Sequence, residues 1–208
     1  MNTIEGQKSK YENVLKAINH CERADLMQEK DGKPFLINDE IQVWCVFDRD
    51  KEGRPELESF GNTNFNESIL TALNKGIRVA WSNDSFELWV LLHFEEVNPN
   101  DPATRHRSNY YDRLTEIFLA LPNPGADLKR ITTISSFYYK EAMKGRKHFT
   151  NIVRNEMVAR TNVAITRAKA LEQYHSGAQS APYHEKSPCT LVHNLVEELI
   201  RLGGKSIP

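Results

Sequence analysis

The sequence is poor in cysteine and has no long hydrophobic run. Its three cysteines, Cys21, Cys45 and Cys189, form no Cys-x-x-Cys pair and show no zinc-ligand spacing, which excludes a disulfide framework and predicts free thiols. No segment approaches the roughly 18 consecutive apolar residues of a membrane span. The first residues, Met1 to Glu5, have neither the basic nor the apolar region of a secretory signal. We therefore expect a cytoplasmic protein without membrane association.

Long tracts of one charge and low-complexity segments are also absent from the 208 residues, of which 39 % are hydrophobic and 26 % charged. This composition excludes collagen-like, disordered and coiled-coil chains. The net charge of −1 conceals an asymmetry, because residues 101–175 hold thirteen Lys and Arg against seven Asp and Glu, a net +6, which leaves −7 for the rest. An acidic part beside a basic part suits a metal site that acts on a polyanion. A solvated surface of mixed charge explains the same numbers.

Strand and helix patterns alternate in the first hundred residues. Apolar spacing predicts a helix over 9–21, and a polar linker over 22–39 follows it. The run Ile41–Phe47 is almost entirely apolar and β-favouring, as in a strand covered on both faces. A helix over 64–75 that ends at Gly76, a strand over 77–81 and an apolar helix over 86–94 come next. Strand, helix, strand and helix with short connections predict an α/β fold with a parallel sheet flanked by helices.

The second half is predicted to be helical and basic. Helical patterns cover 109–121, 136–148 and 155–174, and a last helix is predicted from Pro188, after an N-cap at Ser187, to Gly203. We therefore expect an α/β core at 1–100 and a C-terminal, basic helical extension at 101–208 that packs on the core.

Two aspartates, Asp48 and Asp50, follow the first predicted strand. Residues i and i+2 of an extended chain project to the same side, so both carboxylates can face one hard cation such as Mg²⁺ or Mn²⁺. Open α/β sheets bind ligands at the carboxyl ends of their strands. The alternative is an ordinary Asp/Gly turn that ends a strand.

More polar residues follow the second predicted strand, at Ser82 and Asn83. Because successive parallel strands end at the same edge of a sheet, this turn should approach Asp48. Glu87 then lies in the first turn of the apolar helix, either as a carboxylate of the site or as part of a capping box with Asp84. His93 lies near the far end of that helix, where a lone histidine is more often a hydrogen-bonded core residue than a catalyst.

Four strings of the sequence resemble the RloB-like family of Toprim-related proteins, which occurs in restriction-modification and abortive-infection loci. They are Val43-Trp44-Cys45-Val46-Phe47-Asp48-Arg49-Asp50, Ser82-Asn83-x-x-Phe86-Glu87-Leu88-Trp89-x-Leu91-x-His93-Phe94, and Ala164-x-x-Arg167-Ala168-Lys169 with Thr190-x-Val192-His193-x-Leu195-Val196. The resemblance implies a Toprim-like core, magnesium-dependent nuclease chemistry on DNA or RNA, and a role in antiphage defence with an ATPase partner. Assembly into a homo-oligomer is a further expectation.

The resemblance also implies roles for individual residues. Asp48 and Asp50 match the Toprim Asp-x-Asp metal ligands, and Glu87 with Ser82 and Asn83 matches the second signature, with His93 helping to shape the site. Glu5, in Glu5-Gly6, resembles the glutamate that opens Toprim domains. Only one predicted helix separates it from the Asp-x-Asp strand, whereas a Toprim core has two β-α steps there, so the alternative is that this chain lacks the first step.

The basic half would hold the nucleic acid. Arginine and lysine contacts to phosphate bind without sequence preference and weaken with salt, and we assign this role to Lys144, Arg146, Lys147 and Arg154. The competing hypothesis is a catalytically inactive Toprim-like module that binds an ATPase partner and is regulated by it.

Overall fold

The computed structural model describes residues 10–36, 41–50, 55–177 and 181–204. Its strands are β1 (Met27–Lys30), β2 (Lys33–Leu36), β3 (Trp44–Asp48), β4 (Arg78–Asn83) and β5 (Cys189–Thr190). Its α-helices are α1 (Lys10–Arg23), α2 (Pro55–Leu73), α3 (Glu87–Leu92), α4 (Arg107–Ala120), α5 (Ala126–Thr132), α6 (Tyr139–Met143), α7 (Arg146–His148), α8 (Arg154–Val158), α9 (Thr161–Ser176) and α10 (Val192–Gly203). A π-helical turn, Phe149–Val153, joins α7 to α8.

The main described sheet has the strand order β3-β4-β5. β3 and β4 are parallel, in a register that pairs Trp44 with Arg78 and Asp48 with Ser82. β5 is antiparallel to β4 and pairs Thr190 with Ser82. The predicted α/β class is confirmed, and so is the parallel pairing of these two strands, whereas a Toprim-like order of the whole sheet stays a prediction.

Residues 27–36 form a β-hairpin, so the prediction of a linker over 22–39 was wrong there. β1 and β2 pair antiparallel, and the turn residues Asp31 and Gly32 have φ values of 53° and 74°. Asp-Gly with two positive φ angles is typical of a two-residue hairpin turn. The strands are mostly exposed, so they lack the apolar alternation that would have revealed them.

Gly76 caps the C-terminal end of α2 as predicted, although the helix begins at Pro55 and not near Asn64. Its φ is 73°, its amide donates to the carbonyl oxygen of Leu73, and the amide of Ile77 donates to that of Ala72, which is a Schellman cap. A Cβ at Gly76 would lie 2.6 Å from the carbonyl oxygen of Leu36. Glycine is therefore required both for the turn and for the close approach of the hairpin.

The buried apolar residues form two clusters. One joins α1 and α2 to β3 and β4, around Val14, Phe65 and Trp81. The other joins α3 to the helices of the second half, around Leu91, Tyr110 and Met143. In the described part of the chain, no helix has both the length and the apolar character needed to cross a bilayer.

The second half is helical, as predicted, with two differences. α5 forms after the break at residues 122–125 and was not predicted. The last helix begins at Val192 instead of Pro188, because Cys189 and Thr190 pair with β4 as β5.

Candidate functional site

The ends of β3 and β4 are joined beyond the last ladder pair. The amide of Arg49 donates to the carbonyl oxygen of Ser82 at 2.9 Å, and the amide of Asp50 donates to that of Asp84 at 3.0 Å. Asp50 has a φ of 53°, a left-handed conformation that aspartate tolerates better than most residues. The turn after β4 therefore approaches Asp48 and Asp50, as the sequence predicted.

The carboxyl group of Asp48 is half-buried in a negatively charged environment. Burial raises its pKa to about 7, and the charges of Asp50 and Glu87 add to the rise, against the lowering effects of the Phe86 amide and of Arg107. A raised pKa shows that the ionised form is poorly stabilised by the residues around it. A cation bound at this position would relieve that cost.

Glu87 lies in the first turn of α3, and only 4 % of it is exposed. Its Oε1 atom is 3.4 Å from Nζ of Lys144, while Oε2 is buried with no hydrogen-bond partner. The N-cap residue of α3 is Phe86, and the helix has no side-chain cap. The capping-box interpretation of Asp84 and Glu87 was therefore wrong, and Glu87 presents a buried carboxylate oxygen without a partner.

Arg107, at the start of α4, bridges two acidic residues. Its Nε and Nη2 atoms donate to the Asp84 carboxylate at 3.0 and 2.7 Å, and Nη2 also donates to Oδ1 of Asp50 at 3.2 Å. Burial lowers the pKa of the guanidinium, but the hydrogen bonds and charge of Asp84 raise it by more. Asp84 is fully buried, so it requires such a partner. Lys10 of α1 adds a second positive charge 3.7 Å from Asp50.

Ser82 and Asn83 are buried and serve the architecture around the site. Oγ of Ser82 lies 3.0 Å from Oγ1 of Thr190 in β5. The Asn83 amide donates to the carbonyl oxygens of Tyr183, His184 and Lys186. These bonds hold the segment before β5 against the end of β4, while the role of the two residues in shaping a site stays a prediction.

Arg49, the residue between the two aspartates, belongs to the same framework. Only 7 % of it is exposed, and its guanidinium donates to Oδ1 of Asn83 and to the carbonyl oxygen of His184. Its Nε and Nη2 atoms donate to Oδ1 of Asn62 in α2. Arg49 therefore ties β3, α2 and the segment before β5 together directly beside the acidic residues.

His93 lies in the helical cluster. Its Nδ1 atom donates to the carbonyl oxygen of Trp89 at 2.8 Å, and its ring packs edge-on against Trp89. Burial lowers its pKa to about 4, so it is neutral at physiological pH, with Arg160 and Arg167 contributing to the lowering. None of its described contacts involves Asp48, Asp50 or Glu87, so its environment is that of a core histidine.

The four basic residues assigned to nucleic acid divide into two groups. Arg146, Lys147 and Arg154 are exposed on α7 and α8. Lys144 instead contacts Glu87 and donates to the hydroxyl oxygen of Tyr111 at 2.9 Å. Burial lowers the pKa of Lys144, but Tyr111 and Glu87 raise it by more. The basic half thus contributes Lys144 and Arg107 directly to the acidic site.

The carboxylate oxygens near the strand ends are the type of ligand atom that a hard divalent cation prefers. Asp48, Asp50 and Glu87 offer oxygen ligands, as Mg²⁺ prefers, and the unpartnered Oε2 of Glu87 is available to one. Within residues 10–36, 41–50, 55–177 and 181–204, however, no three His, Cys, Asp or Glu side chains are arranged to hold an ion. Glu5 lies outside the described residues.

Sequence reasoning did not single out Arg107, Lys10 or the burial of Asp84. Arg107 lies 57 residues from Asp50, and no local pattern connects them. The available signal was Asp84 itself: a carboxylate between a buried strand and an apolar helix needs a positive partner, and the basic half is where such a partner would be found.

Comparison with known proteins agrees with the resemblance of the four sequence strings. A family model described as RloB-like protein matches residues 2–199, nearly the whole chain. Searches of curated proteins and of solved structures gave no significant match. The matched range includes both strand ends, α3 and the basic helices that border the site, and the chain belongs to the RloB-like family.

Proposed function

We propose that the protein is a divalent-metal-dependent nuclease that cleaves DNA or RNA phosphodiester bonds in antiphage defence, acting in the cytoplasm with an ATPase partner. The observation that carries this proposal is the position of Asp48 and Asp50 at the end of β3, beside the turn that follows β4, together with the buried and unpartnered Oε2 of Glu87 in the next helix, α3. The parallel pair that ends in Asp-x-Asp also supports a Toprim-like core.

Each residue of the site has a distinct task in this mechanism. Asp48 and Asp50 would hold a Mg²⁺ or Mn²⁺ ion, which would supply charge stabilisation for the phosphate and a more acidic water. Glu87, whose charge acts on Asp48 and whose Oε2 atom has no hydrogen-bond partner, would accept a proton from the attacking water. Lys144, between Glu87 and solvent, faces the negative charge of the substrate.

Exposed basic residues extend the site for the nucleic acid. Arg146, Lys147 and Arg154 follow Lys144 along the chain on α7 and α8 and are open to solvent. Phosphate contacts from such residues position a polyanion without reading its sequence. Because phosphate groups are common to DNA and RNA, both are to be tested.

The test is a cleavage assay on labelled single- and double-stranded DNA and RNA, with Mg²⁺, with Mn²⁺ and with a chelator, in the presence and absence of an ATPase encoded beside the gene. We expect ion-dependent cleavage by the wild type. Asp48→Asn and Asp50→Asn should abolish it, whereas Asp127→Asn, a change at an exposed carboxylate paired with Arg130, should not.

A second candidate function is favoured by one observation. In the described ranges the acidic side chains are engaged by Arg107, Lys10 and Lys144 and do not gather around one point. Such an arrangement suits a catalytically inactive module that binds an ATPase partner and is regulated by it. Failure of the wild type to bind Mn²⁺ in calorimetry, together with retained binding of the ATPase, would support this function over the nuclease.

A further inference from the structure

Two pairs of aromatic rings connect the residues of the candidate site to the protein surface. Phe149, which follows α7, packs edge-on against Phe86 with 5.8 Å between the ring centroids, and the amide of Phe86 donates to the Asp48 carboxylate. Tyr138, the N-cap residue of α6, packs edge-on against Tyr111 at 6.4 Å. Both Phe149 and Tyr138 are partly exposed, so each pair presents an aromatic side chain to solvent.

Positive charge lies beside the tyrosine pair. Nζ of Lys144, 3.4 Å from Glu87, donates to the Tyr111 hydroxyl oxygen at 2.9 Å. The ammonium groups of Lys140 and Lys144 lie 5.9 and 5.3 Å from the centroid of the Tyr111 ring. Lys140 is exposed, and its ion pair with Glu141, at 3.9 Å, is exposed as well and contributes little. Lys140 is therefore available to a phosphate group next to the partly exposed tyrosine ring.

The segment that carries these side chains is rich in both aromatic and basic residues. Residues 137–149 include four basic residues against one acidic residue, a net charge of +3. Three of its aromatic residues, Phe137, Tyr138 and Phe149, are partly exposed. Surfaces that bind single-stranded nucleic acid combine basic groups, which contact the phosphates, with aromatic rings on which unpaired bases stack. In a duplex the faces of the bases are covered by their neighbours, so only a single strand can use the rings.

We propose that residues 137–149 form a binding surface for single-stranded nucleic acid, in which unpaired bases stack on Tyr138 and Phe149 while Lys140, Arg146 and Lys147 contact the phosphates. That the bound strand is also the substrate rests on the proposed function, to which this inference adds the strandedness of the nucleic acid. Every base has a π face, so the surface selects unpaired bases and not a sequence or a sugar. Binding needs no metal ion, because all of these contacts come from the chain itself.

The first measurement compares strands with the wild-type full chain. Fluorescence anisotropy is recorded with a labelled single strand and with the duplex of the same sequence, as DNA and as RNA, in the presence of a chelator. We expect the single strand to bind at least about ten-fold more tightly than the duplex, because one or more bases stack only in the single strand. Equal affinity, or tighter binding of the duplex, overturns the inference.

The second measurement changes the ring of Tyr138. Tyr138→Leu keeps an apolar side chain without a π face, and it should bind the single strand about ten-fold more weakly. Tyr138→Phe loses only the hydrogen bond to Asp112 and should bind within about two-fold of the wild type, because the ring that stacks is kept. Tyr174→Leu is the matched control, since Tyr174 is 48 % exposed on α9 and its hydroxyl group also donates to a polar side chain, that of Asn100.

Salt dependence separates stacking from a general structural effect. Stacking releases no counter-ions, so Tyr138→Leu should lower the single-strand affinity at every salt concentration and leave the slope of log affinity against log salt concentration unchanged. Its affinity for the duplex should also be unchanged. Equal weakening for single strand and duplex, or an equal loss in Tyr174→Leu, overturns the inference.

The outcomes for binding and for cleavage are distinguishable. A wild type that cleaves nucleic acid but binds duplex as tightly as single strand overturns the inference alone. A wild type that prefers the single strand but cleaves neither DNA nor RNA with any ion overturns the proposed function and leaves the binding surface in place.

Discussion

Replacing Asp48 by asparagine should stabilise the ion-free protein at alkaline pH. Burial and the neighbouring carboxylates raise the pKa of Asp48 from 3.8 in the unfolded chain to about 7. An acid with a raised pKa favours the folded state while it is protonated, and that contribution is lost as the pH rises from about 4 through 7. Asparagine has nearly the same shape and carries no charge, so it removes the cost of ionisation.

The size of the effect follows from the shift. About three pH units at 1.36 kcal/mol each set an upper bound of about 4 kcal/mol at pH 8. Asp48 is only half-buried, so solvent screens part of this energy, and we expect about 2 kcal/mol. For a chain of this length, that corresponds to a rise in Tm of about 4 to 8 °C.

Urea unfolding and thermal melting in the presence of a chelator would measure this difference. At pH 8 the free energy of unfolding of Asp48→Asn should exceed that of the wild type by the full difference of about 2 kcal/mol, and at pH 5 by about a third of that difference. Asp127→Asn is the control, because Asp127 is exposed and pairs with Arg130. A variant no more stable than the wild type at pH 8, or a difference that does not grow with pH, would refute the electrostatic explanation.

Three further predictions concern the residues around Asp48. Glu87→Gln should leave the ion-free protein at least as stable as the wild type, because it removes a charge near Asp48. It should weaken ion binding about ten-fold or more and so lower the Mg²⁺-induced rise in Tm. An unchanged rise would show that Glu87 is not part of the site. Arg107→Leu should lower the free energy of unfolding, measured with urea, by about 3–5 kcal/mol, since it leaves the buried Asp84 charge unpaired. Arg113→Leu should lower it by about 1 kcal/mol or less. Replacing Arg146, Lys147 and Arg154 together by glutamine should reduce the slope of log nucleic-acid affinity against log salt concentration by about 2 to 3. An equal reduction on replacing the exposed Arg23, Lys30 and Lys33 by glutamine would show that the effect does not depend on the helices α7 and α8.

The part of the fold that was predictable is the part with strong local patterns. β3 and β4 are apolar, short and followed by polar turns, so their positions and parallel pairing could be inferred. The hairpin was missed because its strands are exposed, although Asp31-Gly32 was a signal for its turn. β5 was missed because two residues carry no periodicity, and its pairing with β4 spans more than a hundred residues.

The closeness of the two strand ends was predictable for the same reason, because Asp48 and Asp50 follow β3 and the turn after β4 reaches them. That Asp48, Asp50 and Glu87 act together in one site stays a prediction. The capping box failed because Asp84 pairs with Arg107 instead of with the amides of α3. A long-range ion pair has no local pattern, and only the burial of a carboxylate between two apolar elements indicates that one is needed.

The pairing of β5 with β4 has a consequence for synthesis of the chain. A ribosome releases β3, α2 and β4 early, but Cys189 and Thr190 join the sheet only after more than a hundred further residues have been made. Until then the edge of β4 that β5 covers has no strand beside it, and Ser82 and Asn83 lack the partners that residues 183–190 supply. A chain not yet made to Thr190 therefore has an open strand edge, which favours aggregation, and lacks part of the framework that positions the turn after β4. Any activity that depends on that turn requires the chain to have been made beyond Thr190.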